Sequence, residues 1–200
     1  MTPDPDERRL DIHRAGRVLV RHREHLAMIR NAEQANNSAP FVSFWRDYAS
    51  CANSLPPAIR MNGLLLAFAM FVEAVEKAGA GKGDLAVLTD LYDGLRMVCG
   101  RIGIDSIGKL NLMPTDALED ERKKCCVELA TEMRDRLIEL PQRDYRLLFE
   151  ESLSYLVWIK TLANPRRQQE EADDKRKEKL EEKAQSTDEE SNAEPEQSDG

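Results

Sequence analysis

At 200 residues the chain suits one domain with a real core, and its cysteines, Cys51, Cys99, Cys125 and Cys126, show no disulfide-framework or metal-ligand spacing. The formal charge of −8 argues against nucleic-acid binding only as an average. Residues 165–200 hold 7 Lys/Arg against 13 Asp/Glu, whereas residues 8–30 hold seven Arg against Asp11 and Glu24, and a phosphate answers to the local field.

The first helix is predicted over 6–35. Ile12, Ala15, Leu19, Leu26 and Ile29 recur at three- and four-residue spacing, interrupted by His22. Arg14, Arg17 and Arg21 form a separate stripe with no acid in it, suited to phosphate; the plain alternative is a solvated face. Residues 36–40 read as a loop. A second helix over 41–55 carries Phe41, Trp45, Tyr48, Ala52 and Leu55. Pro56 and Pro57 should close it and open a third, over 57–78, apolar on most sides and central.

In the first turns of that third helix stand Arg60, Asn62 and Gly63. Asn and Gly each cost about 0.5–1 kcal/mol against Ala inside a helix, so close backbone packing or a ligand contact should favour them. Residues 79–83, Gly-Ala-Gly-Lys-Gly, lack the spacing and the preceding strand of a phosphate loop and read as a plain connection. Asp84 should cap a fourth helix carrying Leu85, Leu88, Leu91, Tyr92, Leu95 and Val98. After a Gly-containing stretch over 100–113, Pro114 and Thr115 open a fifth helix to about 140, with Leu118, Cys125, Leu129, Met133 and Leu137 on one side. Cys125 and Cys126, being adjacent, should face different ways.

A closing helix is predicted over 144–164, with Pro165 as punctuation. Residues 166–183 balance seven basic and seven acidic groups with almost no apolar side chain and cannot build a core. Residues 184–200 hold six acids and no base and should be disordered. The expected fold is an all-α bundle of about six helices over 1–164, a mixed-charge extension over 165–183 and an acidic tail over 184–200.

The longest apolar run, Leu64 to Val72, is far short of the about 20 residues a bilayer span needs. With no signal-peptide pattern, a cytoplasmic chain with reduced thiols and no membrane partner is expected. His13, His22 and His25 stand among arginines without a completing ligand set, so no metal is expected. Glu150 and Glu151 diverge around a helix, and Ser152 and Ser154 have no evident base. Trp45, Tyr48, Tyr145 and Trp158 are spaced as core aromatics. No residue set points to catalysis.

Tyr48, Leu55-Pro56, Ile59-Arg60, Asn62-Gly63-Leu64 and Ala67-Phe68 together form a pattern that resembles the small subunit of the type III-B CRISPR (Cmr) effector complex. A second block over 144–163 resembles that family's closing helix through Tyr145-Arg146, Glu151, Leu153, Trp158, Lys160 and Ala163. Phe149 and Ser152 depart from it, where the family usually has Thr and Ala. The likeness spans about 41–163 and is thin between 100 and 141.

The resemblance implies a non-catalytic subunit without cofactor or small-molecule substrate. Several copies would stack beside the backbone subunits that hold the guide RNA and cleave the target, with other activities in the large subunit. Its partners would be those subunits, further copies of itself, and guide and target RNA through phosphates, in antiviral defence. Candidate RNA contacts are then Arg14, Arg17, Arg21, Arg60, Asn62 and Lys160, and the acidic tail could compete with RNA for the basic face. The alternative is a helical adaptor that meets only protein, with its arginines on acidic partners and Arg60-Asn62-Gly63 as a docking knob.

Overall fold

The structure, a computed structural model, describes residues 5–35, 43–78, 81–102 and 119–191. Five helices account for nearly all of them: α1 (Pro5–Gln34), α2 (Phe44–Ala78), α3 (Lys82–Ile102), α4 (Glu119–Ile138) and α5 (Gln142–Ser191). No strand occurs among the described residues. The expected loop at 36–40, nearly all of the 100–113 stretch, the Pro114-Thr115 opening and the last nine residues of the acidic tail lie outside them.

The all-α class holds, but the helix count does not. The two helices expected over 41–55 and 57–78 are joined as α2, which runs through Pro56 and Pro57. A proline in a helix removes one N–H and crowds one carbonyl, a local loss. Here Leu55, Pro56 and Ile59 are all buried, so packing outweighs that loss. The true break comes at Gly63, with φ 78° and ψ 165°, a conformation essentially confined to glycine. The hydroxyl of Tyr145 on α5 accepts the backbone N–H groups that the break releases, from Leu64 at 3.0 Å and Leu65 at 3.4 Å. Its oxygen lies 3.2 Å from where a Cβ on residue 63 would be, so the cost of Asn62-Gly63 has a helix-packing cause.

Around α2 pack α3, α4 and α5, while α1 lies on α3 and α5. By length and composition alone, α2 could cross a membrane over Phe44–Lys77. In the bundle, however, Phe44, Tyr48, Leu55, Ile59, Leu64, Phe68 and Val75 are buried in one core with Leu88, Leu91 and Leu95 of α3 and Leu148, Leu156 and Ile159 of α5. Elements approach closely at Gly83, where a Cβ would run into the Tyr48 backbone nitrogen, and at Gly94, where it would stand 2.5 Å from the ring of Tyr155.

α3 begins two residues before its expected cap. Asp84 sits inside the first turn and reaches back to accept the Gly81 N–H at 3.0 Å, the acidic half of a capping box. Cys126 is buried and Cys125 partly exposed, as adjacency on a helix requires. α5 does not stop at 164 but continues through Pro165 to Ser191, including 184–191, which composition alone assigns to disorder. Three contacts hold its extension against α2. Asn53 donates to Asn164 at 3.1 Å, Glu170 accepts the N–H groups of Trp45 and Arg46 at 3.3 and 2.9 Å, and Arg46 meets Asp174 at 2.7 Å. Glu170 thus caps α2 from 125 residues away in the chain.

Candidate functional site

The arginine stripe of α1 faces the interior. Arg14 forks onto Glu151 of α5, Nε to Oε2 at 3.0 Å and Nη2 to Oε1 at 2.5 Å. Arg17 donates from Nη2 to Asp93 of α3 at 3.0 Å. Arg21 donates from Nε to Asp90 at 2.8 Å, with Asp93 a further contact at 3.8 Å. The two acids of the basic segment are engaged as well, Asp11 by Arg14 and Glu24 by Arg21. The absence of matching acids holds within α1 only; the matching carboxylates come from α3 and α5.

Asp90 is the centre of this layer. Its side chain is 1% exposed and also accepts from the Tyr48 hydroxyl at 2.8 Å and bonds His25 Nε2 at 2.9 Å. Burial alone would raise its carboxyl, but His25 and Arg21 outweigh burial and hold it below the ordinary value. His22 lies one turn from His25, edge-on to Trp45 with ring centroids 4.5 Å apart. Burial, helped by Arg166 and His25, pushes its imidazole down to about 4, so at neutral pH it is an uncharged core side chain. Near the start of α3, burial raises Asp84 to about 6, with Asp47 adding to the rise and the Gly81 N–H opposing it.

Asp90 and Asp93 were missed in the sequence because they lie among core leucines. The available signal was their spacing. Asp90 and Asp93 stand three apart on a helix otherwise apolar at Leu88, Leu91, Tyr92 and Leu95, and such acids need cationic partners if buried.

The remaining candidates lie outside this layer. Arg60 is exposed and has no ion pair among the described residues, and Asn62 beside it points Nδ2 at Met70 Sδ, 3.5 Å away. Lys160 is exposed on α5, also without an ion pair among the described residues. Met61 at the α2 break is 83% exposed. None of the three candidates lines the groove of about 390 Å³ where α1 ends, α2 begins and α5 passes, bordered by Leu26, Arg30, Trp45, Arg166, Glu170 and Lys177. Among the described residues no group of three or more His, Cys, Asp or Glu side chains is placed to hold a metal ion.

The arrangement therefore provides a rigid helical body, cations facing outward at Arg60 and Lys160, and an internal ionic layer fixing α1. Residues 24–165 match the family model described as CRISPR-associated protein (Cas_Cmr5). No curated protein and no solved structure matches the chain.

Proposed function

The chain belongs to the Cas_Cmr5 family of CRISPR-associated proteins, and on that premise we propose that it is the non-catalytic small subunit of a type III-B RNA-guided effector. Several copies stack to brace the complex in the cytoplasm and touch guide and target RNA through phosphates, without reading sequence, in antiviral defence. The observation that carries this reading is the division of the cations. Arg14 and Arg21 are committed to internal carboxylates, whereas Arg60 and Lys160 stand exposed and without an ion pair among the described residues. Arg14 and Arg21 then position α1, while Arg60, Lys160, Asn62 and the outer edge of Arg17, which is 34% exposed, meet the strand. Guides differ in sequence, so phosphate and shape are the features a shared subunit can use.

Three cationic phosphate contacts per copy give a salt slope of about −2, from roughly 0.7 per contact on single strands. One isolated copy binds weakly, and stacking several in register supplies avidity. In the assembled complex, Arg60→Ala with Lys160→Ala should weaken target RNA binding equally for unrelated sequences and flatten the salt slope by about 1.4 for each copy. An unchanged slope would remove these residues from the RNA path. A purely structural adaptor is the second reading, favoured by the pairing of the α1 arginines within the chain. Arg60→Glu with Lys160→Glu separates the two, since RNA contact predicts lost RNA with assembly intact, and the adaptor predicts lost assembly. Reversal at Arg17 and Arg21 does not separate them, because it places like charges against the buried Asp90 and Asp93.

A further inference from the structure

With the arginine stripe turned inward, the opposite face of α1 is what a neighbour meets. Ile12, Leu19, Arg23 and Arg30 follow one line along the helix at seven- and four-residue steps, with Val20 alongside. Ile12 is 71% exposed, Leu19 and Val20 are 41% and 43% exposed, and Arg23 and Arg30 are exposed without an ion pair among the described residues. On the same helix Asp11 and Glu24 are already held by Arg14 and Arg21, and the exposed Glu33, three residues past Arg30, makes no ion pair with it among the described residues. Aliphatic groups interleaved with arginine, and no aromatic to stack a base, favour an acidic protein surface over RNA.

The chain carries a surface of the opposite pattern. A trough of about 520 Å³ on α4 is bordered by Val127, Glu128, Glu132, Asp135, Arg136 and Glu139, with four carboxylates to one guanidinium. Ile138 nearby is 64% exposed. Glu128 and Asp135 lean on Lys124 and Arg134 of their own helix, but all four groups are at least 36% exposed, where such pairs are weak and replaceable. Arg23 and Arg30 are seven residues apart, and so are Glu128 and Asp135, each pair spanning about 10 Å of helix. An antiparallel crossing that sets Arg30 opposite Glu128 also sets Arg23 opposite Asp135 and Val20 opposite Ile138.

We propose that the outer ridge of α1 in one copy docks antiparallel on the α4 trough of the next copy, with Arg30–Glu128 and Arg23–Asp135 fixing the register. This rests on the stacking reading above and assigns it a pair of faces. α1 packs on α3 and α5, and α4 packs on α2 and α3, so the ridge and the trough belong to different sides of the bundle. The contact is heterologous, so each copy can seat the next, and the stack stays open wherever the rotation between copies does not close it into a ring.

The test is sedimentation velocity of the full-length protein over a concentration series at low and high salt. The wild type should associate progressively at low salt and less at high salt, as exposed charge pairs are screened. Arg23→Glu/Arg30→Glu alone, and Glu128→Arg/Asp135→Arg alone, should each weaken association by about tenfold or more, since each sets like charges opposite. The substituted side chains are exposed, so melting temperature should hold. Mixing the two variants restores opposite charges at every contact and should restore the wild-type series. Association of either variant alone like the wild type, a mixture that stays apart, or a wild type that never associates would each overturn the pairing. So would Arg23→Glu/Arg30→Glu losing RNA while associating normally, which would make the ridge an RNA face. Copurification of the wild-type chain with the larger effector subunits separates the two levels: a chain that enters the complex while the charge swap fails loses only this pairing, and one that does neither loses the stacking reading too.

Discussion

Replacing Asp90 with alanine should be among the most damaging single changes available in this bundle. Its carboxylate accepts from Arg21 and Tyr48 at 2.8 Å each and bonds His25 at 2.9 Å, at 1% exposure. Truncation leaves a mostly buried guanidinium, a phenol and an imidazole facing an empty space. Breaking one side of a buried pair costs about 3–5 kcal/mol, against a total stability of about 5–15 kcal/mol for a typical domain. For a chain of this length that corresponds to a melting temperature lower by roughly 6–20 °C. The assay is urea unfolding at pH 7 followed by tryptophan fluorescence, since Trp45 packs on His22 beside the network. Tyr48→Phe alone should cost about 1.5–3 kcal/mol, the range for a hydrogen bond to a charged group. Made on top of Asp90→Ala it should cost much less, leaving a coupling of about 1 kcal/mol or more. The same carboxylate sets an acid limb. Its folded value is depressed, so its stabilisation is present above the unfolded value near ~4 and is lost as pH falls through the folded value. An Asp90→Ala protein within 1 kcal/mol of wild type, or strict additivity with Tyr48→Phe, would refute the claim that this network holds α1 to the bundle.

Gly63→Ala should destabilise by about 1–3 kcal/mol, because φ 78° with ψ 165° excludes a Cβ and the added atom meets the Tyr145 hydroxyl at 3.2 Å; an unchanged thermal melt would mean that α2 does not break there. Asp84→Asn should act in the opposite sense. The folded value of Asp84 is raised to about 6, so the unfolded chain ionises first and stability falls as pH rises from about 4 to 6. The substitution should therefore gain up to about 3 kcal/mol at pH 7.5 and almost nothing below pH 4, and a gain that did not vary with pH would sink the explanation.

Local rules made much of the architecture legible. The bounds of α1, the opposite orientations of Cys125 and Cys126 and the role of Asp84 at the start of α3 are short-range matters of periodicity and capping, which a few neighbouring residues decide. The orientation of α1 was not legible. Its two faces are nearly equal in apolar content, and the choice between them is made by Asp90, Asp93 and Glu151, which lie 69 to 137 residues away in the chain. Once those carboxylates are present, an inward guanidinium layer wins over an inward Ile12 and Leu19. The break in α2 was placed seven residues early for a similar reason. Proline carries a fixed local penalty that surrounding packing can outweigh, whereas Gly63 reaches a conformation other residues avoid and needs Tyr145, far along the chain, to receive the freed N–H groups. The passage through Pro165 depends on Glu170 and Asp174 finding the start of α2, which no window around the proline contains.

That passage changes what the acidic end can do. From Asp174, whose carboxylate meets Arg46 of α2, the helix runs another 17 residues to Ser191, about 25 Å at 1.5 Å per residue. A flexible chain of that length would sample the bundle surface at an effective concentration in the millimolar range and could shield the basic face of its own molecule. A continuous helix of that length is stiff and cannot fold back over the bundle surface as a flexible chain can. Screening by this stretch should therefore act more between molecules than within one, and its strength should rise with the density of copies rather than remain a fixed property of each one.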